Sequence, residues 1–358
     1  MCGPVADKSA VETVQLGRSM PAAEQTAVLD EALLSAKRIF DSISAELLLV
    51  EAEFERQARS NIQVIAYLGD YLRRSGGKRV RPALTILSNH AVGGDGSNQS
   101  SIRLATVMEF LHTATLVHDD VIDKAATRRN RPSINSEFGN QTAVLMGDWL
   151  YMSAFETSLA ERSLAILDIL TAVTRRMTEG ELLQLTLLGR TDTSEEQYFD
   201  VIARKTAYLF SACCEIGSLL GSATPAQQTM LRDYGMNLGV AFQLIDDLLD
   251  FTSSQDVLGK PAGADLIEGK VSLPLILLLQ REPEMRSQVQ TVISEGGYHT
   301  VSRQSLVDAL ERTGALALTQ QRAIEYAEGA RAALDGLNGS IHTQALRAIP
   351  TYCIDRDR

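Results

Sequence analysis

Two acidic pentads, Asp119-Asp120-Val121-Ile122-Asp123 and Asp246-Asp247-Leu248-Leu249-Asp250, stand 127 positions apart in apolar, helix-forming sequence. In each, the first and last carboxylates fall at i and i+4 and project from one helix face about a turn apart, where like charges repel unless cations fill the gap. The donors are all oxygen, with no cysteine or histidine pairing, and such a set favours a hard divalent ion such as Mg²⁺. Mg²⁺ keeps several waters and binds through one or two carboxylates plus substrate phosphates, so the expected substrate is a diphosphate or polyphosphate.

Cations and hydrogen-bonding groups recur around the pentads. In Gly76-Gly77-Lys78-Arg79-Val80-Arg81-Pro82, Lys78 and Arg81 sit at i and i+3, near enough to grip one anion, and the planar fork of arginine suits a phosphate; a solvated basic turn is the alternative. His112 lies two helical turns before Asp119 on nearly the same face and is a candidate anion ligand, whereas His118 lies on another side and reads as a packed or capping residue. The run Arg128-Arg129-Asn130-Arg131 could hold a diphosphate already bridged by metal, or could be a solvated charge run. Lys205-Thr206 and Phe242-Gln243 place a cation, a hydroxyl and an amide in apolar helical stretches. Such groups could assist a departing diphosphate while their oxygen dipoles steady a positive reaction centre, although each alone is more often structural. Lys260 and Lys270 punctuate a glycine-rich segment whose length suits a lid.

The elements that must position these groups are helical. Apolar periodicity begins near Val28 and recurs over 29–57, 60–74, 80–92, 101–124, 140–158, 162–188, 195–221, 226–252 and beyond. Breaks fall at Gly76-Gly77, at 93–97, at Arg131-Pro132, at Thr224-Pro225 and across 253–269. Strand-like alternation is almost absent and no Pro-, Gly- or Ser-rich linker divides the blocks, which predicts an all-α single domain over residues 29–358. Its two Asp-bearing helices are expected to face each other across a shared cavity. Residues 1–28 lack both a secretory h-region and an Arg-rich, acid-poor transit pattern, and read as a poorly ordered extension.

Composition narrows the function further. The 358 residues are 45% hydrophobic, enough for a sizeable core, and the formal charge of −11 argues against nucleic-acid binding. Cys2, Cys213, Cys214 and Cys353 form no CxxC pair and no disulfide framework, which fits a reducing cytoplasm. No run of about 18 apolar residues suggests a membrane-spanning helix.

FLHTATLVHDDVID followed by ATRRNRPSIN, the GGKRVRP and KTAYLF segments, and FQLIDDLLDF with GKPAGADLIEGKVSLP together resemble the trans-polyprenyl diphosphate synthases over roughly residues 30–358. The resemblance implies that Asp119 and Asp123 are metal ligands of the first motif and Asp246 the main ligand of the second, with Asp120, Asp247 and Asp250 in support. It implies that Arg128 holds the allylic diphosphate, that Lys78, Arg81, His112 and Arg129 hold isopentenyl diphosphate, and that Lys205, Thr206, Gln243 and Lys260 flank the allylic site. Arg356-Asp357-Arg358 looks like the family's C-terminal end. Mg²⁺, three ions per active site with substrate bound, and a homodimer are implied as well. The implied reaction is ionisation of the allylic diphosphate, condensation and proton elimination, with released diphosphate as a plausible proton acceptor.

Within that family, bulky aromatics four and five positions before the first pentad block the growing chain. Here Thr115 and Ala114 stand there, both small, which implies a long product such as a quinone side-chain precursor. The stop is then expected deeper, among Met146, Trp149, Tyr151 or Phe155, all of which could equally be core residues. Competing readings are a shorter-chain farnesyl or geranylgeranyl diphosphate synthase, a regulatory subunit that has lost catalysis, a class I terpene cyclase and an acidic scaffold. Two intact pentads argue against the regulatory subunit and the cyclase, and Lys78, Arg81, Arg128 and Lys205 at family spacing argue against the scaffold.

Overall fold

Polar caps and glycines punctuate a chain that is otherwise helical. In the computed structural model, residues 39–58, 62, 65, 79–128, 131–253 and 263–355 are described. They form fifteen α-helices: α1 Ser44–Gln57, α2 Val80–Ala91, α3 Gln99–Ile122, α4 Ile134–Phe138, α5 Asn140–Leu159, α6 Leu164–Leu187, α7 Glu195–Ile202, α8 Tyr208–Leu220, α9 Pro225–Thr252, α10 Ala264–Ile267, α11 Leu273–Arg281, α12 Arg286–Glu295, α13 Arg303–Arg312, α14 Ala315–Ala333 and α15 Ile341–Ile354. A π-helical turn, Ala203–Ala207, joins α7 to α8, and a two-residue antiparallel ladder pairs β1 Thr127–Arg128 with β2 Arg131–Pro132. The start signals are physical. Asn98, Ser163, Ser194, Thr224, Ser302 and Ser340 each accept a hydrogen bond from an otherwise orphaned first-turn N–H, and Ser194 and Thr224 complete capping boxes with Gln197 and Gln227.

Apolar faces then choose partners. α8 packs against both α2 and α9, α3 lies along α5, and α9 is backed by α14. One core gathers Leu84, Met108, Phe110, Phe210 and Tyr234; a second gathers Phe251, Leu273, Leu278, Val289 and Leu310. The all-α architecture expected from periodicity is the observed one. Among the described residues no helix is long and apolar enough to cross a membrane.

One expected helix is interrupted. Apolar periodicity predicts a single helix over 195–221, but the backbone widens into the π turn at Ala203–Ala207. Two glycines from other helices admit that turn: a Cβ on Gly180 of α6 would lie 2.7 Å from the Cβ of Arg204, and one on Gly239 of α9 would lie 2.5 Å from the Cα of Ala207. The widened turn places Lys205 and Thr206, adjacent in sequence, on the wall of the same cavity. Residues 1–28, nearly all of 60–74, and 254–262 of the expected lid lie outside the described residues.

Candidate active site

A cavity of about 1550 Å³ lies between the C-terminal halves of α3 and α9. From α3 it is lined by His112, Thr115, Asp119 and Asp123, which recur in steps of three or four and so share one helix face. α9 contributes Phe242, Gln243, Asp246 and Asp247, the π turn contributes Lys205 and Thr206, and Arg81 and Arg128 complete a basic margin. The structure therefore gathers in one cavity residues drawn from segments more than 160 positions apart.

The carboxylates of the two pentads are not equivalent. Asp120 is buried off the cavity wall and receives Arg128 Nε at 2.7 Å; Asp250, fully buried, accepts the Asp265 backbone N–H at 3.4 Å. On sequence both are expected to support the metal ligands; in the structure neither lines the cavity. Asp247 reaches the wall, yet its carboxylate accepts from Tyr198 Oη at 2.6 Å and Gln243 Nε2 at 2.9 Å. Asp119, Asp123 and Asp246 remain as the half-buried carboxylates of the wall. Burial raises the Asp119 carboxyl to about 6, with Lys205 opposing and the charges of Glu181 and Asp123 adding to the rise. Burial and the charge of Asp265 raise Asp247 to about 7 against the two hydrogen bonds it accepts.

Two lysines neutralise this acidic wall. Lys205 Nζ pairs with Glu181 at 2.7 Å and donates to Gln184 Oε1 at 2.9 Å, both on α6. Lys270 Nζ pairs with Asp123 at 2.9 Å and Glu268 at 2.7 Å, tying the segment after α10 to the first pentad. Burial alone would lower the Lys270 ammonium, but Asp123, Asp265 and Glu268 together raise it.

The polyprenyl synthetase profile matches residues 62–310. The chain belongs to the polyprenyl synthetase family. It is 38% identical to the octaprenyl diphosphate synthase of Escherichia coli over 91% of this chain and all of that one. It is also 38% identical to an all-trans-nonaprenyl-diphosphate synthase of Rhodobacter capsulatus, over 83% of this chain and 90% of that one. In three dimensions it resembles a polyprenyl synthase from Caulobacter crescentus solved with calcium and isoprenyl diphosphate, with a TM-score of 0.86 and 34% identity, covering 90% of this chain and 98% of that one. The fold is that of the isoprenoid synthases, and the chain is a trans-prenyltransferase of this family.

Polyprenyl synthetases use a divalent metal, and the donor set here fits one. Asp119, Asp123 and Asp246 present oxygen only, from two opposing helices. Among the described residues no group of three or more His, Cys, Asp or Glu side chains is placed to hold a metal ion by itself. An oxygen-only donor set suits a hard divalent ion, which few carboxylates hold and phosphate and water oxygens complete.

The remaining expectations divide. Of the cations in the basic turn, Arg79 is committed to Glu109 at 2.5 Å and to Glu51, while Arg81 stacks over Phe210 at 5.0 Å and lines the cavity. His118 approaches the Val144 carbonyl at 3.1 Å, a packing contact between α3 and α5 as expected, though it also borders the cavity. Of the two small residues expected to open the tail's path, Thr115 is on the cavity wall, whereas Ala114 is 0% exposed and packs within the core. Tyr151 and Phe155 line the cavity; Met146 and Trp149 pack into the core instead. Lys78, Arg129, Lys260 and Arg356-Asp357-Arg358 lie outside the described residues. Sequence reasoning assigned no role to Glu181, Gln184, Tyr198 or Asp265. The i, i+3 spacing of Glu181 and Gln184 in the otherwise apolar GELLQLTLLG was the available signal for the first two.

Proposed function

We propose that this polyprenyl synthetase condenses isopentenyl diphosphate with an allylic diphosphate repeatedly, making a long all-trans polyprenyl diphosphate. One observation carries the reading: the cavity that gathers the charged groups is also lined by Thr115, Tyr151, Phe155 and Met177. A diphosphate head and an apolar tail both find complementary surroundings. Mg²⁺ held by Asp119, Asp123 and Asp246 would supply neutralisation of the leaving diphosphate. Lys205 and Arg128 grip that diphosphate, and the oxygens of Thr206 and Gln243 face the carbon that becomes positive as its C–O bond breaks. Arg81 and His112, with Lys78 and Arg129, hold isopentenyl diphosphate so that its double bond attacks that carbon. Loss of a proton to the released diphosphate then regenerates an allylic double bond, five carbons further on. Apolar walls keep water from the cation.

The test is direct. Purified protein with Mg²⁺, labelled isopentenyl diphosphate and primers of ten, fifteen or twenty carbons is expected to yield chains longer than twenty carbons. Products that stop at fifteen or twenty would select the shorter-chain reading, and no elongation with any primer would select a regulatory subunit. Residues 29–358 form the catalytic unit in this reading, and the buried, unpaired thiols of Cys213 and Cys214 suit a reducing cytoplasm.

The same reading includes a homodimer. Leu145, Met152 and Leu159 recur every seven residues along α5 and are 68%, 61% and 46% exposed, an apolar stripe suited to a second copy. Sedimentation is expected to give about twice the 39.0 kDa chain mass, and Leu145→Glu, on the stripe and off the cavity wall, is expected to shift the protein toward monomer. A monomeric wild type at micromolar concentration would end the dimer reading.

A further inference from the structure

Asp247 adjoins Asp246 in the second pentad, but its surroundings are those of an orienting group. Its Oδ2 accepts from Tyr198 Oη at 2.6 Å and its Oδ1 from Gln243 Nε2 at 2.9 Å, while Gln243 Oε1 accepts from Thr206 Oγ1 at 2.9 Å. Tyr198 and Asp247 are both buried. The relay joins α7, α9 and the π turn along the cavity wall and ends at Gln243 and Thr206.

The direction of this relay follows from elementary chemistry. Gln243 Nε2 donates to Asp247 Oδ1 at 2.9 Å, which draws the amide N–H toward Asp247 and leaves the carbonyl oxygen on the other side, beside Thr206. A glutamine without that partner can present either end of its amide. The end presented matters greatly if a carbocation forms nearby: the oxygen stabilises it and the N–H edge opposes it. Tyr198 fixes Asp247 in turn, because its hydroxyl occupies the oxygen that Gln243 does not use and so prevents the carboxylate from rotating.

We propose that Tyr198 and Asp247 are positioning residues that lock the Gln243 amide with its oxygen toward the reacting allylic carbon. The proposal rests on the prenyl-transfer reading above. Asp247 on this account is not a metal ligand, and the pentad carries two jobs: Asp246 faces the metal and Asp247 faces the amide.

Asp247→Asn separates the two accounts, since the asparagine must donate to Gln243 once its oxygen serves Tyr198, and Gln243 must then turn its N–H toward Thr206. The expected result is a fall of about a hundredfold in kcat, KM for both diphosphates within about twofold, and Mn²⁺ affinity measured by electron paramagnetic resonance with inorganic diphosphate unchanged. Tyr198→Phe keeps the carboxylate and is expected to lower kcat about tenfold with the same pattern. Weakened Mn²⁺ binding by Asp247→Asn, or recovery of its rate in excess Mg²⁺, would overturn the proposal in favour of a metal ligand. Wild-type kcat in folded Tyr198→Phe would overturn it as well. If Tyr198→Phe does not fold, Asp247→Asn alone decides. Should the wild type elongate no primer, the prenyl-transfer reading fails by itself, and the Mn²⁺ titration still decides whether Asp247 binds metal.

Discussion

Asp119→Asn is expected to lower kcat/KM about a thousandfold and to raise the Mg²⁺ requirement, whereas Asp250→Asn leaves the Mg²⁺ requirement unchanged and lowers thermal stability. Each is a terminal carboxylate of an acidic pentad, Asp119 the first of one and Asp250 the last of the other. Their surroundings separate them. Asp119 is on the cavity wall, its carboxyl raised to about 6 by burial and by the charges of Glu181 and Asp123 against the opposing charge of Lys205. A carboxylate held near other negative charge gains most when a divalent ion arrives, and an amide in its place is a far weaker ligand. Asp250 is fully buried and serves the backbone leading into α10: it accepts the Asp265 N–H through its side chain and the Gly263 N–H, at 2.8 Å, through its carbonyl. Removing its charge alters how that segment is anchored. Initial rates titrated with Mg²⁺, together with thermal melts, distinguish the outcomes. Equal shifts in Mg²⁺ requirement for both variants would mean that the pentads bind metal through all their carboxylates alike.

The helical face of this site was legible because it depends on local spacing. His112, Asp119 and Asp123 are in register on one helix, and so are Gln243 and Asp246, so periodicity alone aligns them. That Asp250, in register with Asp246, lies off the wall while Asp247 reaches it was not legible, because the deciding partners are distant in the chain. Tyr198 reaches Asp247 across 49 positions, and Lys205 meets Glu181 across 24. The pairing of Lys270 with Asp123 spans 147. The π turn was hidden for a similar reason: KTAYLF carries an ordinary helical pattern, and the space for the widened backbone comes from Gly180 and Gly239 on other helices. Arg79 shows the converse, a cation in a basic run that reads as substrate-binding yet is committed to Glu51 and Glu109.

Product length gives the second large effect. Thr115→Phe is expected to shorten the main product to twenty carbons or fewer while the first condensation continues. Thr115 lies one turn before Asp119 on the same face, and its hydroxyl is folded back onto the His112 carbonyl at 2.7 Å, so the side chain adds little bulk to the cavity. Tyr151, Phe155 and Met177 line the same cavity. A phenyl ring fills far more space than a threonine and is expected to narrow the space between the charged wall and these apolar residues. Ala114→Phe, one position away, provides the contrast. Ala114 has no exposed surface and is packed in the core, so the larger ring there costs about 1–3 kcal/mol of stability by overpacking. Chromatography of the chains made by each variant, beside their melting temperatures, separates the two effects. A stably folded Thr115→Phe enzyme that still makes wild-type chains would show that the tail does not pass this residue, and the long-product reading would lose its structural support. A shorter chain at an undiminished first-step rate would instead place the length control beneath the diphosphate-binding wall, because the substituted ring then leaves ionisation intact and obstructs only the growing tail.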